Sequence, residues 1–278
     1  MKWRPFHIDL PQARLALLEA GEGSNVLLCL HGYEQRKELF LPLFEQIPTG
    51  WQIVLLDLPL YGQTQWYDYQ QTMTADFLAD FWAAFAERYA GSRLHLFGFS
   101  MGGKVALSLQ SSVRRGALSV SLMAPDGIRS NFWHRVISSP LGLRLNDWLD
   151  RHPQWVLTPS TCLRKLRLLD PLSYRVVKLS YETEAGRERK SRQLRLYAPL
   201  NVDFAALKAQ KQTRWLLIWG KSDKILDASL AQDFLKILPQ TQLHILDGGH
   251  MLIQEKRQKL TIILHAVLAE LATIDLES

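Results

Sequence analysis

Cysteine is scarce: Cys29 and Cys162 are the only two in 278 residues, far apart and in no CxxC pair. That excludes a disulfide framework and a thiolate metal centre, and it points to a reducing compartment. Long apolar runs are missing as well, none approaching the roughly 18 residues that a membrane-spanning helix needs. The basic start Met1-Lys2-Trp3-Arg4 has no apolar region behind it, so the reading predicts no secretory signal and a cytoplasmic chain without integral membrane contact. Internal repeats and low-complexity tracts are absent. The oligomeric state is not addressed by any of these features.

The net charge is +6, and it is uneven: residues 127–200 carry fourteen Lys/Arg against six Asp/Glu, a balance of +8, which leaves −2 for the rest. No recognition fold or aromatic-basic platform accompanies this charge, so a nucleic-acid partner is not expected. Two readings stay open for it, an anionic substrate and the surface of an acidic membrane. The stretch Arg187-Glu-Arg-Lys190-Ser-Arg192 reads as a solvated face.

Apolar, β-rich runs recur at Phe6–Leu10, Arg14–Glu19, Val26–Leu30, Gln52–Asp57, Arg93–Phe97, Ser119–Met123, Trp215–Trp219 and Gln242–Leu246. The middle ones are continuously apolar, as strands covered on both faces are. Helical patterns fall at Glu38–Gln46, Met73–Tyr89, Gly102–Ser112, Ala228–Leu238 and Leu252–Leu271. This alternation predicts an α/β fold with a mostly parallel, doubly wound sheet, its first two strands antiparallel. The rhythm stops at Pro125 and resumes near Asn201, with helix-like pieces between broken at Pro140, Pro153, Pro159, Pro171 and Pro199. The expected organisation is a core of residues 1–125 and 201–278 with a helical cap inserted at 126–200, above the sheet edge where such folds place their sites.

The segment Arg93-Leu-His-Leu-Phe-Gly98-Phe99-Ser100-Met101-Gly102-Gly103-Lys104-Val105 runs from a strand through G-x-S-x-G into a helix. A serine hydroxyl is a poor nucleophile unless exposed and paired with a base, and a sharp strand-to-helix turn lifts it above the sheet. The same residues nearly spell the phosphate loop G-x-x-x-x-G-K, but Val105 stands where a Ser or Thr hydroxyl would hold Mg²⁺. That disfavours a nucleotide site, and no metal or organic cofactor is expected.

An acid and then a histidine should follow the serine in chain order. Trp215–Trp219 ends in Gly220-Lys-Ser-Asp223, and Gln242–Leu246 ends in Asp247-Gly-Gly-His250. Ser100, Asp223 and His250 are therefore the candidate triad, with His250 as base and Asp223 fixing its tautomer. Asp227 and Asp247 are weaker candidates for the acid, Asp247 reading as the cap of the glycine turn. His244, within a strand, reads as a buried core histidine. The turn Leu30-His31-Gly32-Tyr33 supplies a further piece: the backbone N–H groups of Tyr33 and Met101 are the candidate oxyanion hole, and His31 reads as a residue that shapes this loop.

At this point the chain resembles the α/β-hydrolase superfamily, in Leu30-His31-Gly32, Asp57-Leu58-Pro59-Leu60-Tyr61-Gly62, Gly98-Phe-Ser-Met-Gly-Gly103, Gly220-Lys-Ser-Asp223 and Gly249-His250. The resemblance implies an eight-stranded sheet, a cap after the sixth strand, and the triad and oxyanion roles above. It implies hydrolysis of an ester or related acyl bond of a small-to-medium substrate through an acyl-enzyme. Two alternatives accompany it: a triad-bearing carbon–carbon bond hydrolase or lyase, and a slow-turnover ligand receptor. Leu60-Tyr61 departs from the glycine and histidine that relatives place there, and Met251 stands where carbon–carbon bond hydrolases often carry an aromatic. Phe132, Trp133, Trp148 and Trp155 would give the cap an apolar lining.

Overall fold

A computed structural model describes residues 2–68, 71–129, 139–197 and 199–273. All eight expected strands form: β1 (Arg4–Leu10), β2 (Ala13–Gly21), β3 (Asn25–Leu30), β4 (Trp51–Leu56), β5 (Arg93–Phe99), β6 (Ser119–Met123), β7 (Arg214–Gly220) and β8 (Gln242–Leu246). They lie side by side in the order β1-β2-β4-β3-β5-β6-β7-β8. β2 runs antiparallel to both β1 and β4, and every other neighbouring pair is parallel. One strand was not foreseen, the two-residue Gln65–Trp66, which pairs antiparallel with the start of β2. The central strands β3 and β6 are buried along their whole length, as strands with helices on both faces are, and β6 buries Ser119 and Ser121 with its apolar residues.

The helices flank this sheet with two departures from expectation. Helices α1 (Ala75–Arg88) and α2 (Met101–Ser112) form as predicted. The segment Lys37–Leu43 is a 3₁₀ helix, not an α-helix, with Pro42 inside it; a proline in an α-helix interior lacks the amide that the next turn needs. Among the described residues, four helices occupy the Arg-rich stretch: α3 (Pro140–Arg151), α4 (Gln154–Lys165), α5 (Pro171–Tyr181) and α6 (Glu184–Tyr197). Pro140 and Pro171 open helices, as prolines do at first-turn positions, but α4 continues through Pro159 without the expected break. Pro159 and Trp155 both lie on the exposed side of α4, so the carbonyl that loses its partner is on the solvent side, where the loss costs least. Three more helices follow, α7 (Phe204–Ala209), α8 (Ser229–Ile237) and α9 (Leu252–Glu255). The expected single helix Leu252–Leu271 is interrupted at Lys256, and α10 (Arg257–Ala272) completes it.

Contacts divide the chain into two compact units, one of Met1–Tyr67, Ala75–Arg129 and Asn201–Ser278, the other of Asp68–Thr74 and Ser130–Leu200. The first contains the whole sheet. One of its apolar clusters joins Leu27, Cys29, Ile53, Phe97 and Ile218 of the strands to Leu260, Leu264 and Leu268 of α10. The second is helical and tied by polar contacts. Asp147 of α3 receives both Arg195 bonds from α6 at 2.8 and 3.0 Å. Lys190 lies over the Tyr181 ring and bonds Asn146 and Asp150. Lys190 is thus an internal tie of this unit, contrary to the solvated face expected of 187–192. Phe132 and Trp133 lie outside the described residues; Trp148 and Trp155 are exposed and in ring contact.

Candidate active site

The site is built where β3, β5, β7 and β8 end, on one edge of the sheet because all four run in the same direction. Ser100 occupies the single residue between β5 and α2, with φ of 52° and ψ of −116°. That left-handed φ costs a non-glycine residue about 1–3 kcal/mol and persists only where surroundings enforce it. Here the Ser100 N–H donates to Met123 O at 3.0 Å, and Ser100 O accepts from Gly103, Lys104 and Asp126. Gly102 lies so close to the neighbouring turn that a Cβ on it would stand 2.1 Å from Leu30 O. Only glycine permits that approach.

His250 follows β8 and meets Ser100: Oγ and Nε2 are 3.0 Å apart. Its Nδ1 lies 2.7 Å from Asp223 Oδ2. Asp223 is an acceptor, so Nδ1 carries the proton and Nε2 turns its lone pair to the serine hydroxyl. The other carboxylate oxygen, Oδ1, accepts the Ile225 and Leu226 N–H groups at 2.8 and 2.9 Å. Those two bonds leave Oδ2 for the imidazole. The loops carrying Asp223 and His250 are joined by Ser222 N–H donating to Gly248 O at 2.9 Å. Asp223 and His250 are buried, while Ser100 is partly accessible.

Two neighbouring residues differ from their expected roles. The glycine turn is held by Glu255, whose carboxylate accepts the Gly249 N–H at 2.6 Å, whereas Asp247, read as its cap, is exposed. His244 is only half buried and pairs with Gln242 at 3.0 Å, because β8 is an edge strand with one neighbour.

The β3 turn comes up to the serine. A Cβ on Gly32 would lie 3.3 Å from Ser100 Cβ, so the loop that holds Tyr33 runs alongside the hydroxyl. The turn closes through Gln35 N–H to Gly32 O at 3.3 Å. Met101 is the first residue of α2, and first-turn amides have no helical carbonyl to bond. His31 is fully buried and shapes this loop as expected: Nδ1–H donates to Gly32 O at 2.8 Å, and Nε2 accepts Leu58 N–H at 3.0 Å. The Tyr61 ring meets it edge-on. Thus the departure at Leu60-Tyr61 supplies a packing surface, with the Tyr61 hydroxyl 3.9 Å from Met101 Sδ.

The sequence singles out Asp57 in its Leu-Pro loop but gives no sign of its pairing with Lys37. Both are buried and form an ion pair beneath this loop. Asp57 also accepts the Lys37 N–H at 3.0 Å and the Gln63 N–H at 2.9 Å. Lys104, which completed the phosphate-loop pattern, is buried on α2; burial lowers its pKa, and the nearby Asp126 opposes that.

Burial also lowers the pKa of His31 to about 4, with the Gly32 carbonyl bond opposing. His95, against Trp51 and bonded to Ser119, is lowered to about 4 by burial and then by the Arg93 charge. Both rings are neutral in the fold, while unfolded histidine titrates near pH 6.5. Between about pH 6.5 and 4 the unfolded chain therefore holds more protons, so stability falls as pH falls. Two such groups give a slope of up to about 2.7 kcal/mol per pH unit in that window. Urea denaturation across this range should register the loss, and His95→Gln should halve the slope. A flat profile would contradict it.

The fold and these loops define the class, and the sequence profile described as alpha/beta hydrolase fold matches residues 25–256. The chain belongs to that family. It is 24% identical over 265 residues to the monoacylglycerol lipase ABHD6 of Bos taurus, spanning 90% of this chain and 77% of that one. It is 25% identical over 272 residues to the dihydrolipoyllysine-residue acetyltransferase component of an acetoin cleaving system from Cupriavidus necator, spanning 92% and 67%. Among solved structures, a thermophilic esterase from Thermogutta terrifontis superposes with a TM-score of 0.71 at 19% identity, over 98% of this chain and all of that one. Among the described residues no helix is long and apolar enough to cross a membrane.

Proposed function

We propose that the chain is a serine hydrolase that cleaves carboxylic esters through an acyl-enzyme. The observation that carries this reading is the continuous relay from Ser100 Oγ to His250 Nε2 at 3.0 Å and from His250 Nδ1 to Asp223 Oδ2 at 2.7 Å. In the mechanism, Ser100 Oγ attacks the ester carbonyl carbon and gives its proton to His250 Nε2. Asp223 holds the ring and stabilises the imidazolium that forms. The carbonyl oxygen becomes an oxyanion, and the Tyr33 and Met101 N–H groups are its proposed donors. Collapse of the tetrahedral species expels the alcohol, which leaves with the proton from Nε2. Water then attacks the acyl-enzyme with His250 again as base, releasing the acid and restoring Ser100. No residue in this cycle calls for a metal or an organic cofactor.

The kinship with a monoacylglycerol lipase and the likeness to an esterase fold support an acyl ester as substrate class. We also propose that residues 1–125 and 201–278 are the hydrolase core and that 126–200 is a substrate-selecting cap insertion. A series of p-nitrophenyl esters of rising acyl length tests the activity: release that depends on His250 is expected, with an optimum that reports the acyl pocket. Release unchanged in His250→Ala would sink the assignment.

A further inference from the structure

Helix α3 is amphipathic in the inverted sense. Leu141, Leu145 and Trp148 fall at i, i+4 and i+7, one stripe of a helix, and all three are exposed. The side of α3 turned inward instead carries Gly142 and Asn146, both buried. Asn146 is bonded there to Lys190 at 2.7 Å. Helices of globular proteins put the apolar stripe inside; this one puts it out. Helix α4 and the turn after it carry further exposed apolar residues, Trp155, Leu163, Leu166 and Leu168. Trp148 and Trp155 join the two helices, their ring centroids 6.0 Å apart. The side chains stand proud, Leu141 at 75% and Leu168 at 72% exposure. An exposed apolar patch of this extent marks an interaction surface.

The charge around the stripe has one sign. Arg144, Arg151, Arg164, Lys165 and Arg167 occupy the same two helices and turn, and none of them has an ion-pair partner among the described residues. The two acids of this surface, Asp147 and Asp150, are taken by Arg195 and Lys190 of α6. Leucine and tryptophan on one face, bordered by unpaired Arg and Lys, is the composition of a helix that lies in a lipid interface. Tryptophan favours that depth because its ring is apolar and its N–H can face water. A bilayer accepts protruding side chains of any outline, whereas a rigid protein partner must offer matching pockets.

We propose that α3 and α4 form a peripheral docking ridge that seats on an anionic phospholipid bilayer, its leucines and tryptophans entering the headgroup boundary and its five cations meeting phosphates. Binding does not require Ser100, so Ser100→Ala protein serves equally in the test, and failure of the serine-hydrolase reading would leave this one standing. The full chain is sedimented with vesicles of phosphatidylcholine alone or mixed with phosphatidylglycerol, and its tryptophan emission is recorded. Partition should favour the anionic vesicles, shift emission to the blue, and weaken with salt. Arg144→Gln and Lys165→Gln should each lower the partition coefficient about fivefold. Trp148→Ser/Trp155→Ser and, separately, Leu141→Glu should abolish vesicle binding while far-UV circular dichroism stays unchanged. Equal partition of the parent and both apolar variants, or no partition of the parent, would overturn the proposal. So would a dimer in lipid-free buffer that Leu141→Glu dissolves, since the ridge would then be an interface between copies of the chain.

Discussion

Ser100→Ala should lower kcat/KM for a soluble ester by about 10⁴- to 10⁶-fold, because serine, histidine and acid in such a relay act as a unit. The variant removes the Oγ that lies 3.0 Å from His250 Nε2 and nothing else. His250→Ala should fall to a similar rate, leaving the serine without a base. Asp223→Asn should cost about 10⁴-fold: its amide keeps an oxygen for the Ile225 and Leu226 amides, but its NH₂ would face Nδ1 and favour the wrong tautomer. The double variant Ser100→Ala/His250→Ala should be no slower than either single one. Additive losses would mean that the two residues do not share a step.

Lys37→Met should cost about 3–5 kcal/mol of folding stability, the usual effect of stranding a buried charge. Asp57 is fully buried, and Lys37 is its only close cation among the described ion pairs. Without the ammonium the carboxylate keeps two backbone donors, Lys37 and Gln63, but loses its counter-charge. Lys37→Met/Asp57→Asn removes both charges and should recover most of the loss, since a paired replacement avoids the uncompensated ion. The measurement is urea denaturation followed by tryptophan fluorescence, read from the midpoint. A single variant within about 1 kcal/mol of the parent would refute the idea that this pair is a structural tie. The pair sits beneath the turn whose Leu58 N–H binds His31, so its loss should also loosen the loop that brings Gly32 beside Ser100.

Much of this architecture can be read along the chain, and its limits have physical causes. Apolar-rich runs between turn residues identify β3 to β7 because buried parallel strands need such sequences. The elbow at Gly98–Gly102 is legible because its sterics demand small residues at fixed spacing. Contacts between distant positions are not. Lys37 beside Glu38 looks like a surface ion pair, and nothing local reveals that Asp57, twenty positions on, lies against it. His244 reads as core because its strand is apolar, yet the burial of an edge strand depends on sheet order. Leu252–Leu271 reads as one helical pattern, although the polar run Gln254 to Lys259 parts its apolar positions; Glu255 bonds back to Gly249 and the helix is interrupted at the next residue, Lys256. The outward stripe of α3 is equally hidden, since an amphipathic pattern does not tell which way its apolar side faces.

The central claim is that Ser100 is a nucleophile activated by His250, and covalent trapping tests it most directly. Intact-mass analysis after exposure to a fluorophosphonate should show one adduct, located by digestion to Ser100, absent from Ser100→Ala and much slower to form in His250→Ala. An adduct that persists in Ser100→Ala, or none on the parent chain, would contradict it.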